Sequence, residues 1–210
     1  MPPKSAAQKV NQVARNGGSD DGSNDGIVNP SGAAISGFGA AYLIGVPITS
    51  SITKADGVFH GIIQRLFEIF PGGVAQGRAI PALTAFYVFM TFGASGAISA
   101  AGQAMGRREG LDNNTPRKHV HTLDGLPLRM RSAHYGLLEN FAGFAVAASL
   151  AQSLAPADPQ IANLLGLHVL LKTGLYYVSY LADVAPPRTL SHVLATSAVI
   201  NVCWRLANGA

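Results

Sequence analysis

No charged side chain occurs between Arg78 and Arg107. That run, Ala79–Met105, exceeds the roughly 20 residues a helix needs to cross about 30 Å of hydrocarbon. Lipid offers no water to backbone N–H and C=O groups, so a segment of this kind must be helical. Three later runs reach or approach that length with few charges: from about Met130 to Ala155, Ile161–Leu181 and Leu190–Leu206. The polar stretch Pro156–Pro159 separates the first two of these. The expected fold is therefore an all-α membrane protein, a bundle of four transmembrane helices over residues 79–207.

The distribution of charge argues the same way. Only 12% of the 210 residues are charged, where a soluble domain carries about a quarter. The charges crowd into the N-terminal tail, the stretch 54–78 and the stretch 107–131. The net charge of +4 is small, and no basic run alternates with exposed aromatics, so nucleic acid is not an expected partner. Cys203 is the only cysteine, which excludes an intrachain disulfide; a reactive thiol would have to come from a ligand. The chain has no HExxH, no paired-Cys metal motif, no Gly-rich phosphate loop and no Gly-x-Ser-x-Gly elbow. His119 and His121 flank a single Val without a third ligand, and no metal site is expected.

Ahead of the bundle the sequence changes twice. Residues 1–26 are polar, lack the apolar core of a signal peptide and read as a disordered tail. Lys4, Lys9 and Arg15 give them a faint transit-peptide character, against which Asp20, Asp21 and Asp25 count. Residues 27–78 read as a membrane-associated extension. Within it Ile27–Thr53 is uncharged but Gly- and Ser-rich and broken by Pro47. It is a fifth span with Gly37, Ala41 and Gly45 as its packing face, or else a surface-lying or re-entrant segment. Val58–Phe70 puts Phe59, Ile62, Ile63, Leu66, Phe67 and Phe70 on one face, as an interfacial helix does.

Orientation follows from Lys and Arg. Arg107, Arg108, Arg117, Lys118, Arg129 and Arg131 lie at or between the first two spans, and none lies between the second and third. The positive-inside rule puts the 107–131 loop in the cytosol, with Asp183–Thr189 on the same side.

Ionisable groups inside a span are costly and usually face the bundle interior for a purpose. The second span carries Arg129, Arg131, His134, Glu139 and Asn140. The arginines read as interface snorkelers or as inward-facing cations, and His134 as a bonded core histidine or a ligand group. Asn140 serves helix–helix bonding or a ligand. Glu139 is too short to snorkel from its depth and needs a cationic or hydrogen-bonding partner. In the third span Tyr176 and Tyr180, at i and i+4, form one stripe beyond Lys172, as an aromatic belt or a site wall. Arg188, in Pro186-Pro187-Arg188-Thr189, is a topology anchor or a cation in the same cytosolic-side cleft.

The stretch from Asp124 to Phe144, with Arg129, Arg131, His134, Glu139 and Asn140 inside it, resembles the second-helix signature of the MAPEG superfamily. These are the membrane-associated proteins of eicosanoid and glutathione metabolism. Tyr176, Tyr180 and Pro186-Pro187-Arg188-Thr189 are similar in order and spacing. The resemblance covers about residues 79–207 and implies a four-helix protomer, a homotrimer and a cytosolic-side glutathione site between protomers. It further implies glutathione as co-substrate and transfer or peroxide reduction on lipophilic substrates that enter from the bilayer. In this reading Arg107, Arg131, His134, Glu139, Asn140 and Tyr176 bind glutathione, Glu139 taking its amino end. Arg188, Tyr180 and Thr189 stand near the thiol as the catalytic set. The endoplasmic reticulum is the implied membrane, with a mitochondrial membrane as the other. Ser132 and Gly136 stand where the family often has Arg and Asn, which keeps a second class open: a protein of this fold without catalysis, acting as a structural or interaction partner.

Overall fold

The computed structural model of the chain describes residues 32–75 and 77–209; the tail read at 1–26 and the start of the extension lie outside the described residues. The unit that ends at Phe38 contains one described turn, Ala33–Ser36, in which Ser36 Oγ donates to Ala33 O (2.6 Å). The second unit, from Gly39 onward, contains α1 (Gly39–Ile52), α2 (Val58–Glu68), α3 (Ala79–Met105), α4 (Gly125–Leu154), α5 (Pro159–Leu181) and α6 (Ala185–Ala207). No strand occurs among the described residues.

By length and composition α3, α5 and α6 can each cross a membrane. The helix α4 is longer, at 30 residues, but carries the charged signature in its first half. The boundaries of α3 are those of the uncharged run. The others differ for reasons of capping. The helix α4 begins at Gly125, ahead of Met130, because Asp124 sits extended before it and accepts the Gly125 N–H (2.7 Å). The helix α5 begins at Pro159, where Asp158 Oδ1 accepts from Gln160 N (2.8 Å) and Ile161 N (3.1 Å). The helix α6 begins at Ala185 and not Leu190, because its prolines fall in a first turn that needs no N–H donor.

The inner helix is α5, buried without interruption from Ile161 to Val169. Small residues of α4 (Ala133, Ala147, Ala148, Ala151) bring its axis close, and Leu137 and Phe144 fill the spaces between them. Tyr87 of α3 meets Phe144 edge-on (4.8 Å between centroids) and His168 of α5 (5.3 Å). His168 is consumed in this core, with Nδ1 on Ala195 O (2.9 Å) and Nε2 on the Tyr87 hydroxyl (3.3 Å). Phe89, Phe92, Val146, Leu150, Leu154, Leu190 and Trp204 remain exposed, as suits lipid.

The uncharged segment Ile27–Thr53 contributes α1, 14 residues or about 21 Å of helix, too short to span alone. It packs on α6. Of the small residues expected on its packing face, Gly45 is buried against Ser197, Ala41 is half-buried and Gly37 lies in the turn ahead of the helix. Asn201 supplies the polar fastening: its Nδ2 lies within 3.1 Å of Val46 O, Thr49 Oγ1 and Ser50 Oγ. The helix α2 turns Ile63 and Phe67 inward, and its His60 Nδ1 meets Asn163 Oδ1 of α5 (3.1 Å). Both faces of the expected interfacial helix are thus partly occupied by protein.

Candidate functional site

The charged half of α4 and the C-terminal half of α5 converge at one end of the bundle. Each of α3 and α5 widens there into a π-helical turn, Phe89–Ala94 and Leu171–Tyr176. Such turns re-aim the side chains that follow them and recur at functional sites. Between α4 and α5 lies a cleft of about 450 Å³, within the range of small-molecule sites. Arg131, Ser132, Tyr135, Gly136 and Glu139 of α4 and Tyr176 and Tyr180 of α5 line it.

Arg131 is 8% exposed although it is charged. Its Nη2 donates to the Tyr135 hydroxyl (2.8 Å), and its guanidinium carbon lies 4.7 Å from the Tyr135 ring centre. With the Gln103 amide oriented to satisfy both neighbours, its oxygen accepts from Arg131 Nη1 (3.0 Å) and its nitrogen donates to Pro116 O. The head group is thereby held at the cleft wall and does not snorkel. Glu139 is exposed on the same wall and forms no ion pair among the described residues.

Tyr176 explains Gly136. A Cβ on residue 136 would collide with the Tyr176 hydroxyl and ring, so the hydroxyl occupies the space that a side chain would fill. Tyr180 packs edge-on against Tyr176 (5.7 Å), and the Arg188 guanidinium sits over the Tyr180 ring (4.8 Å). Both tyrosines line the cleft. Arg129 fixes the turn that carries this pair: Nε donates to Leu181 O (3.1 Å) and Nη1 pairs with Asp183 Oδ2 (3.5 Å). Asp183 ends α5 in the left-handed region (φ 61°), a conformation its short polar side chain tolerates.

Other residues singled out in the sequence lie elsewhere. His134 turns toward α3, where its Nδ1 meets Ser95 Oγ (2.9 Å) while Ser95 donates to Thr91 O (2.6 Å). Asn140 donates to Gly136 O of its own helix (2.8 Å). Thr189 is exposed on the first turn of α6 and does not line the cleft. Arg107 belongs to the loop that follows α3, where it donates to Gly110 O (3.2 Å). Asp112 organises that loop, accepting the Thr115 hydroxyl, the Thr115 N–H (3.0 Å) and the Asn114 N–H (3.1 Å), beside His119 (3.3 Å). The Thr115 donors, its hydroxyl first, lower the Asp112 carboxyl to a pKa of about 2.

Sequence reasoning overlooked Tyr135, Gln103, Ser95, His192 and Tyr42. Tyr135 lies four residues after Arg131, and His192 four after Arg188, so helical spacing from a known cation would have found both. Lys172 is fully buried, with Nζ donating to His192 Nδ1 (2.6 Å) and lying 4.3 Å from the Tyr176 ring centre.

Three helices long and apolar enough to cross a membrane, with a cleft lined by Arg131 and Glu139 at one end of the bundle, define an integral membrane protein. Residues 80–208 match the MAPEG family, well over half of the chain, and the chain belongs to that family. No curated protein and no solved structure matches it.

Proposed function

We propose that the protein is a glutathione-dependent membrane enzyme, a transferase or peroxidase acting on lipophilic electrophiles or lipid peroxides. The observation that carries this reading is the presence, on one wall of the cleft, of a held cation at Arg131 and of Glu139, a carboxylate with no ion pair among the described residues. Glutathione carries two carboxylates and one ammonium, which such a wall complements: the guanidinium takes a carboxylate and Glu139 the amino end. Family membership supports the same substrate class.

Glutathione would supply the nucleophilic thiol, and a thiol attacks as thiolate, below its free pKa of about 8.5 only with help. Arg188 over Tyr180 is the candidate for that help, the guanidinium supplying charge and the phenol a hydrogen bond. Thr189, which is exposed and does not line the cleft, has no place in this arrangement; Tyr180 takes the hydroxyl role. The helix α4 serves as the fourth membrane span, and the open side of the cleft is closed by a second copy in a homotrimer. The endoplasmic reticulum is the membrane proposed.

Calorimetric titration of glutathione into the protein in nanodiscs, beside a Glu139→Gln variant, tests this. The wild type is expected to bind saturably and the variant at least about tenfold more weakly, about 1.4 kcal/mol. Absence of binding at millimolar glutathione in a folded trimer would refute the enzyme and leave a membrane scaffold.

A further inference from the structure

The family match begins at residue 80, so α1 lies outside it. Yet α1 reaches the back of the cleft. Tyr42 presents its ring edge-on to His192 (6.0 Å between centroids, 75° between planes). The other side of His192 faces Tyr176 at 6.0 Å, and its Nδ1 is the one hydrogen-bonding partner of the Lys172 side chain among the described residues. Lys172 in turn lies against the ring of Tyr176, whose hydroxyl sits in the space above Gly136. A continuous line of contacts therefore runs from α1 through α6 and α5 to the wall of the cleft.

The seam that holds α1 is built to keep Tyr42 in place. Ser197 Oγ, one turn and a half along α6 from His192, lies 2.8 Å from the backbone oxygens of both Tyr42 and Val193 and shares its one proton between them. Gly45 lets the backbones approach at the same level, and Asn201 fastens the next turn. A fully buried lysine with no carboxylate within ion-pair distance among the described residues is costly in a membrane and survives only where its surroundings over-determine it. Among the described residues His192 alone satisfies it by hydrogen bonding, and Tyr42 packs edge-on against that imidazole.

We propose that α1 is a working part of the cleft: Tyr42 and His192 are positioning residues that hold Lys172 behind Tyr176 and so fix the inner wall on which the ligand rests. This rests on the cleft being the ligand site, and its test has one arm that does not. In that arm, the protein in nanodiscs is reductively methylated with formaldehyde and Lys172 modification is followed by mass spectrometry. Wild-type Lys172 is expected to be protected. Tyr42→Leu and His192→Leu should raise its modification rate about tenfold, by opening local structure. Tyr42→Phe, which keeps the ring edge, should restore protection, and Ile48→Ala, on the exposed face of α1, should leave it unchanged.

In the second arm glutathione is titrated into the same variants. Affinity is expected to fall about tenfold in Tyr42→Leu with an unchanged melting temperature, and to return in Tyr42→Phe. Continued protection of Lys172 in both leucine variants overturns the positioning role outright. Wild-type affinity in a Tyr42→Leu protein whose Lys172 has become reactive overturns its link to the ligand. Exposure of Lys172 in a series where even the wild type binds no glutathione supports the positioning role and refutes the glutathione reading alone.

Discussion

A methyl group at position 136 has nowhere to go. It would meet the hydroxyl and ring of Tyr176 at distances no real Cβ tolerates, on a helix packed too tightly to retreat. Gly136→Ala is therefore expected to cost about 1–3 kcal/mol, as overpacking does, seen as a lower melting temperature. Combining it with Tyr176→Phe, which removes the colliding oxygen, should recover part of that loss; strictly additive effects in the double-mutant cycle would mean that the two residues are not in contact. The sequence shows Gly136 only as a missing polar side chain, because its partner lies forty positions away on another helix. Arg131, Glu139, Tyr176 and Tyr180 were legible because a charge or hydroxyl in a span stands out against lipid. His134 and Asn140 stand out equally, yet their polar atoms are directed to Ser95 and to Gly136 O. Residue type shows that a group needs a partner, not which way it turns to find one.

At the scale of the helix the same logic governs α1. Spans α3, α5 and α6 declare themselves by apolar length, and the start of α5 is set by Asp158, a cap that a residue-by-residue reading can locate. Nothing in α1's own composition distinguishes a buried stripe from a lipid-facing one: Leu43, Ile44 and Ile48 are exposed while Gly45 and Thr49 are buried. What fixes it is Asn201, far along the chain on α6. Its amide is shared among three oxygens of α1, the strongest polar connection between the two helices. Interhelical hydrogen bonds in membranes are worth about 0.6 kcal/mol each on average, and about 1.7 at most. Asn201→Leu should thus cost about 1–2 kcal/mol and preferentially loosen α1. Hydrogen exchange would show this as faster exchange over Gly39–Ile52 with the α3–α5 core unchanged. Uniformly faster exchange across the bundle would instead make Asn201 a general core residue and the seam no separate unit.

For the molecule as a whole, charge asymmetry sets the direction in which the cleft faces. The cleft lies at the end of the bundle that carries Arg107, Arg108, Arg117, Lys118, Arg129 and Arg188, whereas the other end carries fewer basic residues, Lys54, Arg78 and Arg205 among them, the last beside Asp158 (3.9 Å). Under the proposed function, positive-inside placement would put the cleft on the cytosolic side, where glutathione is supplied while lipophilic substrates arrive through the bilayer. The helix α6 starts beside the cleft and runs for 23 residues, about 34 Å, so it ends at the opposite surface. In sealed microsomes with the cytosolic face outward, trypsin should cleave at Arg117 or Lys118, both exposed, and leave an epitope tag placed after Ala210 intact until detergent is added. Immediate loss of the tag with an intact 107–131 loop would invert the protein. The cleft would then open away from cytosolic thiol, and a glutathione enzyme in this orientation would lack its co-substrate.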